Sequence, residues 1–335
     1  MPIPLWSLIE KRHFSFSQRS RLTHYCNQWC RMPSCTHKSI QEISEMNMKT
    51  IAVIGLGAMG SRIAQNLLNA GYPVIVHNRT LAKAQPLIDQ GATFVTSPRA
   101  AAEQSDMVIS MVTDNEISRQ VWLASETGAI LGFTPDKIAI EMSTLTVSWV
   151  RELGTAIAQC RASFLDAPVV GSRPQAEARK LISLVGGQAE TLAQVRETLT
   201  DAGAAMIHHV GTVGQGMAMK LAVNALFGIQ VAALAELLGM LSKDGIPLEA
   251  TMACLGDLPV LSLAAKGAGS LMISQNHAPL FPIELVEKDF RYVIQTAQSL
   301  EAMIPTSTVV TDIYRIAIAQ GYSSENTTGI VQLFV

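Results

Sequence analysis

Apolar and polar residues follow two different periods along the chain, and the change between them predicts its elements. From residue 48 to 211, short β-branched and apolar runs alternate with segments whose apolar residues recur every three or four positions. The first pattern predicts buried parallel strands and the second predicts amphipathic helices. The predicted strands are 51–54, 72–77, 93–95, 106–112, 137–142, 163–170, 181–185 and 206–210. The predicted helices are 61–69, 81–90, a short one from Pro98, 115–124, 146–161 and 189–202. This alternation favours an α/β fold with a doubly wound sheet and a right-handed crossover at each step.

Beyond Gly214 only helical periods remain. They predict helices at 216–242, 247–255, 260–271, 282–300 and 305–319. We therefore place a domain boundary near Gly211, between an α/β domain of residues 48–211 and an all-helical domain of residues 212–335. The helix at 216–242 is apolar around nearly its whole circumference, so it must be buried. A single chain offers little surface to bury it, which predicts a homodimer or homotetramer that associates through the helical domain.

Three glycines follow the first strand at once, in G-x-G-x-x-G spacing. Gly55 permits a tight turn, Gly57 lets a ligand approach the backbone, and Gly60 lets the next helix pack close to the strand. Strand, glycines, helix and second strand occur within one unit of about thirty residues, as a dinucleotide site requires. The helix also directs its free N–H groups at the phosphates. We predict a Rossmann-type domain whose turn binds a dinucleotide through Gly55, Leu56, Gly57, Ala58, Met59 and Gly60.

The end of this unit indicates which dinucleotide is bound. NAD-binding units carry Asp or Glu about 20 residues after the glycines, where it holds the ribose 2′-hydroxyl. This chain has Asn78, Arg79 and Thr80 at that place, with no acidic residue nearby. A carboxylate would repel a 2′-phosphate, whereas Arg79 can form a charge-assisted fork with one. The pattern favours NADP(H), with NAD(H) possible.

Composition sets outer limits on the function. The chain has 335 residues, is 48% hydrophobic and 16% charged, and carries a net charge of −2. No uninterrupted apolar run reaches the roughly 18 residues of a membrane span. No basic face with interleaved aromatic residues suggests a nucleic-acid partner. Cys160 and Cys254 stand alone, which suits a reducing compartment. We expect a cytoplasmic protein without a membrane or nucleic-acid partner and without a bound metal.

The first 47 residues differ from the rest, because they lack periodicity and hold six Lys or Arg residues against three acidic ones. An organelle-targeting segment is one interpretation, since such segments are basic and poor in acids. A metal site is another, although no pair of cysteines has finger-like spacing. Its ligands would be His24, Cys26, Cys30, Cys35 and His37. We favour a third, in which Met48 or Met46 is the real start, and we expect 1–47 to be a disordered extension in every case.

Two further stretches carry a specific resemblance. They are 166–187 (DAPVVGSRPQAEARKLISLVGG) and 214–224 (GQGMAMKLAVN). Together with the glycine motif they resemble the β-hydroxyacid dehydrogenase family, which includes 3-hydroxyisobutyrate dehydrogenase, tartronate semialdehyde reductase and the glyoxylate/succinic semialdehyde reductases. The resemblance covers nearly all of residues 48–335. It implies an NADP(H)-dependent oxidoreductase that interconverts a small β-hydroxyacid or hydroxy acid and its aldehyde or oxo form.

Lys220 matches the catalytic lysine of that family, and Asn224 matches its substrate-orienting asparagine. The two lie four residues apart and therefore on the same face of a helix. A partly buried ammonium there can donate a hydrogen bond to the substrate oxygen as hydride arrives. The alternative for Lys220 is an ordinary lysine at a helix edge.

The remaining family contacts fall in several loops. Substrate contacts correspond to Val170, Gly171 and Ser172, and the backbone N–H groups of Gly171 and Ser172 suit an anion. Cofactor contacts correspond to Val112, Thr113, Thr144 and Lys288, the first three at strand carboxyl ends, where such sheets bind ligands. The chain departs from the family pattern at three positions: Val170 replaces the usual Ser, Arg179 a frequent Gly, and Val147 a Pro.

Two other functions stay open at this point. Imine reductases are a related group, but they usually lack the lysine found here at position 220. The second is an NADP-binding interaction protein without turnover. Val170 and the missing proline keep this interpretation open, whereas the Lys220–Asn224 pair argues against it.

Overall fold

The computed structural model describes residues 48–335, so the predicted extension 1–47 and its candidate metal ligands lie outside the described residues. The N-terminal half is built on a nine-stranded sheet in the order β3-β2-β1-β4-β5-β6-β8-β7, with β9 paired to β8. The strands are β1 Ile51–Ile54, β2 Val74–His77, β3 Thr93–Phe94, β4 Met107–Ser110, β5 Ile138–Glu141, β6 Ser163–Asp166, β7 Val169–Val170, β8 Leu181–Gly187 and β9 Ala204–Gly211. β1 to β6 are parallel, and β1, β4 and β5 are buried along their whole length.

Helices cover both faces of this sheet. They are α1 Gly60–Asn69, α2 Gln85–Ile88, α3 Pro98–Glu103, α4 Asn115–Leu123, α5 Val147–Gln159, α6 Arg173–Glu177 and α7 Ala189–Asp201, with 3-10 turns at Leu81–Lys83 and Ala129–Gly132. One apolar core lies on each face. The strand order reverses at β1, between β2 on one side and β4 on the other, which places a crevice at the carboxyl ends of these strands. The predicted Rossmann-type sheet is confirmed.

The C-terminal half contains only helices and one 3-10 segment among its described elements. They are α8 Gln215–Lys243, α9 Leu248–Asp257, α10 Leu263–Ile273, α11 Ile283–Ser299, α12 Pro305–Ala319 and the 3-10 segment Thr327–Leu333. A third apolar core forms around α8. The first turns of α8 pack against the sheet, however, because Met217 and Leu221 lie in a core of the N-terminal half. The helix therefore fixes one half of the chain to the other.

Two predicted elements are wrong in detail. The helix predicted at 81–90 is broken at Ala84, because Pro86 has no N–H to continue it. The strand predicted at 163–170 is broken before Val169, since Pro168 cannot donate to a sheet ladder. The chain then folds back, and β8 runs antiparallel to both β6 and β7. The expected right-handed crossover at each step therefore fails at β8.

The length and composition of α8 alone would let it cross a membrane. Half of its most apolar 18-residue window is nevertheless buried inside the fold. It also carries two buried polar side chains, Lys220 and Asn224. These features are those of a core helix.

Candidate active site

The glycine turn after β1 packs tightly against the sheet at Gly55 and Gly60 but leaves open space at Gly57. A Cβ at Gly55 would overlap the carbonyl oxygen of Met111, and one at Gly60 would overlap that of Gly55. Gly55 also has a φ of +94°, which favours glycine. At Gly57, by contrast, a Cβ would meet nothing within 4 Å. This open, exposed backbone at the N-terminus of α1 fits the phosphates of a dinucleotide.

Of the residues that follow β2, one supports the glycine turn and the next two are exposed to solvent. Asn78 Oδ1 accepts a hydrogen bond of 3.0 Å from the Leu56 N–H, and its Nδ2 donates one of 2.9 Å to the Thr80 carbonyl. Asn78 therefore holds the glycine turn against the end of β2. Arg79 and Thr80 are exposed. The Arg79 side chain has no hydrogen-bond or ion-pair partner among residues 48–335, so its charge is free for a ligand.

The start of α8 is anchored on the sheet by a buried carboxylate. Asp166, at the end of β6, accepts hydrogen bonds from Gly214 N at 2.8 Å and Met217 N at 2.7 Å. Burial raises its pKa, while these backbone donors lower it. Gly186 and Gly216 complete the contact, because a Cβ on either would lie within 3 Å of backbone atoms or of Asp166. Asp166, Gly186 and Gly216 are therefore in mutual contact, and this contact fixes the first turn of α8 against the sheet.

One turn further along α8, three side chains form a buried chain of hydrogen bonds. Lys220 Nζ donates to Asn224 Oδ1 at 2.9 Å, and Asn224 Nδ2 donates to Asp289 Oδ2 at 2.6 Å. Lys220 is only 8% exposed. Burial lowers the pKa of its ammonium to about 8, with Asp289 raising it and Lys288 lowering it. The predicted Lys220–Asn224 pair therefore exists in the structure, and Lys220 has a pKa suited to proton transfer near neutral pH.

Asp289 is the member of this chain that the sequence did not reveal. It lies on α11, 65 residues from Asn224, and is almost completely buried. In the sequence, the only feature that pointed to Asp289 was its position directly after Lys288. Its Oδ1 lies 3.2 Å from Lys288 Nζ but receives no hydrogen bond.

Lys288 joins the two loops that follow β4 and β5. Its ammonium donates to the carbonyl of Thr113 at 2.8 Å and to that of Thr144 at 2.9 Å. Val112 is held in the same region, since its N–H donates to Ser143 Oγ at 2.8 Å. The structure thus brings Val112, Thr113, Thr144 and Lys288 together at the carboxyl ends of the strands. Two donors of the Lys288 ammonium are occupied by these carbonyls.

The predicted substrate loop lies at the end of β7. Val170 is paired with Ile182 in the sheet, and Gly171 turns the chain with a φ of +123°. The N–H and the hydroxyl of Ser172 both donate to Gln175 Oε1, at 2.9 and 2.8 Å. An anion would have to displace these contacts to reach Ser172. Within residues 48–335, no hydrogen bond links this loop to Lys220 or Asn224.

Comparisons with known proteins cover nearly all of the described chain. The sequence profile of the NAD binding domain of 6-phosphogluconate dehydrogenase matches residues 50–219. The profile described as NAD-binding of NADP-dependent 3-hydroxyisobutyrate dehydrogenase matches residues 214–334. The two matches meet at the first turns of α8.

Individual relatives agree with these profiles. The chloroplastic glyoxylate/succinic semialdehyde reductase 2 of Arabidopsis thaliana is 30% identical over 288 residues, which are 86% of this chain and 80% of that protein. The NAD-dependent L-serine dehydrogenase of Pseudomonas aeruginosa is 29% identical over 300 residues, 86% of this chain and 98% of that one. The structure of 3-hydroxyisobutyrate dehydrogenase from Mycobacterium tuberculosis with L-serine has a TM-score of 0.78 at 25% identity, covering 86% and 99% of the two chains. The chain therefore belongs to the β-hydroxyacid dehydrogenase family and is an NAD(P)-dependent oxidoreductase that acts on a CH–OH group.

Proposed function

We propose that this enzyme is an NADP(H)-dependent reductase of a small anionic aldehyde or 2-oxo acid, and in reverse a β-hydroxyacid dehydrogenase. The observation that carries this proposal is the buried chain Lys220–Asn224–Asp289. Support for the substrate class comes from the relatives, which are named for glyoxylate, succinic semialdehyde or L-serine. Each of these compounds carries a carboxylate beside the reacting carbon or a short distance from it.

Lys220 supplies the proton in this mechanism. A reduced nicotinamide held at the carboxyl ends of the strands would supply the hydride that the carbonyl carbon accepts. As negative charge develops on the carbonyl oxygen, the Lys220 ammonium donates its proton to that oxygen and becomes a neutral amine. Solvent then returns a proton to Nζ. In the oxidation direction the neutral amine accepts the hydroxyl proton of the substrate.

Asn224 orients both partners of this proton transfer. Its Oδ1 holds the Lys220 ammonium, and one N–H of its Nδ2 is bound to Asp289. The amide has a second N–H, which is available to a substrate oxygen. Asn224 therefore holds the donor and can hold the acceptor on the same rigid helix.

The preference for NADP(H) rests on Arg79. Its guanidinium is exposed and unpaired among residues 48–335, at the end of the strand that faces the adenosine ribose in such folds. A guanidinium forms bidentate hydrogen bonds with phosphate, so Arg79 would bind a 2′-phosphate directly. One relative is named NAD-dependent, whereas the profile that matches the helical half is described as NADP-dependent, so this choice varies among similar proteins.

We also propose a homodimer or homotetramer in a reducing compartment such as the cytoplasm. The free thiols of Cys160 and Cys254 are compatible with that compartment. Exposed apolar side chains on α8 support the association.

Oxidation of NADPH by the full chain tests the proposed activity. The substrates compared are glyoxylate, succinic semialdehyde, tartronate semialdehyde and a cyclic imine. Turnover of at least one aldehyde or oxo acid, with the imine inert, supports the proposal. Turnover of the imine alone would make the enzyme an imine reductase. Tight NADPH binding without turnover of any of the four would favour a binding role.

A further inference from the structure

Arg173 carries a charge that the proposed reaction does not use. It is the first residue of α6 and directly follows Ser172. Its Nε is buried without a hydrogen-bond partner, and its guanidinium forms no hydrogen bond or ion pair with the rest of residues 48–335. Burying part of an unpaired guanidinium is unfavourable unless a ligand supplies the missing acceptor.

A cavity shows where such a ligand would lie. It has a volume of about 610 Å³, and its wall includes the open glycine turn at Gly57 and Ala58 together with Arg173 and Lys83. A third cation in its wall, Arg62, is already occupied, because it pairs with Glu177 at 2.6 Å and donates to the Ala58 carbonyl. Two unpaired cations therefore remain beside the turn. A dinucleotide pyrophosphate carries two negative charges and complements them.

The position of Arg173 relative to the turn is fixed by contacts between α6 and α1. Asn66 Nδ2 donates to the Ala176 carbonyl at 3.0 Å, and this amide is buried. The Arg62–Glu177 ion pair joins the same two helices. Arg173 thus starts from backbone that is held against the helix whose N-terminus receives the phosphates, so little ordering is needed on binding.

We propose that Arg173 binds the pyrophosphate of the dinucleotide in this cavity, whose wall also carries Lys83. It would complete a phosphate site whose other half is the N-terminus of α1. This assignment rests on nucleotide binding by the family and is independent of the substrate and of Lys220.

Binding measurements with fragments of the cofactor test the proposal. Fluorescence or calorimetric titration of the full chain gives the Kd of NADPH, NADH, ADP-ribose and 2′-AMP for the wild type and for Arg173→Gln. Loss of one charge-assisted contact should raise the Kd of the three pyrophosphate-containing ligands by a similar factor of about 10. The Kd of 2′-AMP, which lacks a pyrophosphate, should stay unchanged.

Two variants control for charge and for folding. Lys180→Gln removes a positive charge a few residues away, outside the cavity wall, and should leave all four Kd values unchanged. Arg173→Lys retains a charge and should weaken the pyrophosphate ligands less than Arg173→Gln does. The proposal is overturned if only NADPH and 2′-AMP weaken, which would assign Arg173 to the 2′-phosphate. It is equally overturned if no Kd changes, or if only the KM of the carbonyl substrate rises.

Discussion

At the scale of residues, the orientation of one amide controls the site. The two ends of the Asn224 carboxamide differ, and the side chain would accept or donate toward Lys220 depending on which end faces it. Asp289 accepts from Nδ2 and so leaves Oδ1 for the ammonium. Asp289 does not bind Lys220 directly. It acts on Lys220 through the amide and through its charge.

Replacing Asp289 should change the pH dependence of reduction. The negative charge of Asp289 raises the pKa of Lys220, so Asp289→Asn should lower that pKa below its value of about 8. Reduction uses the ammonium form, which is lost as pH rises through the pKa. The falling limb of the kcat/KM profile should therefore move to lower pH. Asp312→Asn, an exposed charge on α12, is the control and should leave the limb in place. An unmoved limb in Asp289→Asn would show that Asp289 acts only in packing.

Removing Lys220 should affect the transition state more than binding. The substrate oxygen gains charge only as hydride arrives, so its donor contributes little to the ground state. We expect Lys220→Ala to lower kcat by roughly 10²–10⁴-fold, the usual scale for a general acid, and to leave the Kd of NADPH unchanged. Lys220→Arg should not restore the rate, because guanidinium does not release a proton near neutral pH. Near-normal kcat with a raised KM in Lys220→Ala would make the lysine a binding residue.

The choice of cofactor should depend on Arg79. Arg79→Asp replaces a phosphate-binding fork with a carboxylate that repels a 2′-phosphate and can accept from a ribose hydroxyl. The preference for NADPH over NADH should fall by about 1.5–3 kcal/mol, as measured by the ratio of kcat/KM values. NADH serves as the internal control. An equal loss with both cofactors would assign Arg79 to the structure of the loop.

How far the sequence predicts these residues depends on how local their signals are. Lys220 and Asn224 are four residues apart on one helix, and the glycine turn is contiguous, so spacing places each set of residues together, while the roles of Lys220 and Asn224 were predicted from the family resemblance. Asp289 and Asp166 act on α8 from 65 and about 50 residues away along the chain. Only the tertiary fold brings such partners together. For the same reason the unpaired state of Arg173 could not be inferred from its neighbours in sequence.

At the scale of elements, helices and strands were predictable where their periods were long, and uncertain where a proline interrupted an apolar run. Residues 163–170 are mostly apolar, so they suggested one strand, yet Pro168 divides them. The reversal after Val170 depends on the turn at Gly171 and on pairing with β8, which apolar periodicity does not specify. The position of α8 depends in turn on close backbone contacts at Gly186 and Gly216.

Adding one methyl group at Gly216 should therefore weaken both the fold and the reaction. A Cβ there would lie 2.5 Å from the Leu184 carbonyl oxygen and 2.7 Å from the Gly186 nitrogen. Gly216→Ala should cost about 1–3 kcal/mol in unfolding free energy, measured by urea denaturation, because α8 must shift away from the sheet. The shift displaces Lys220, so kcat should fall as well.

Gly267 provides the matched control for this substitution. It also lies inside a helix, but a Cβ there would meet nothing within 4 Å. Gly267→Ala should stabilise the protein by about 0.4–1 kcal/mol through the unfolded state, with kcat unchanged. Equal effects of the two substitutions would mean that the contact of Gly216 with β8 is not a constraint on α8.

At the scale of the whole molecule, α8 connects the two halves and presents an apolar stripe to the outside. Leu226, Ala233, Leu237 and Met240 follow one another at spacings of seven, four and three residues, so they lie along one face. Leu226 is 60% exposed and Met240 58% exposed. The oligomer that would cover this stripe stays a prediction, as does the domain boundary near Gly211. An exposed apolar stripe of this kind is typical of a surface that another protein chain covers.

Charges placed on this stripe should dissociate the proposed oligomer. We expect light scattering after size exclusion to give at least twice the chain mass for the wild type. Leu237→Glu combined with Met240→Glu should give a monomer, because burying two carboxylates in an apolar interface is strongly unfavourable. Leu131→Glu tests whether any exposed charge has this effect, since Leu131 and Leu237 are both 45% exposed but Leu131 lies on the sheet half. That variant should keep the wild-type mass. A monomeric wild type at micromolar concentration would contradict the proposal. Dissociation of the Leu131→Glu variant alone would also contradict it, because the interface would then lie on the sheet half and not on α8.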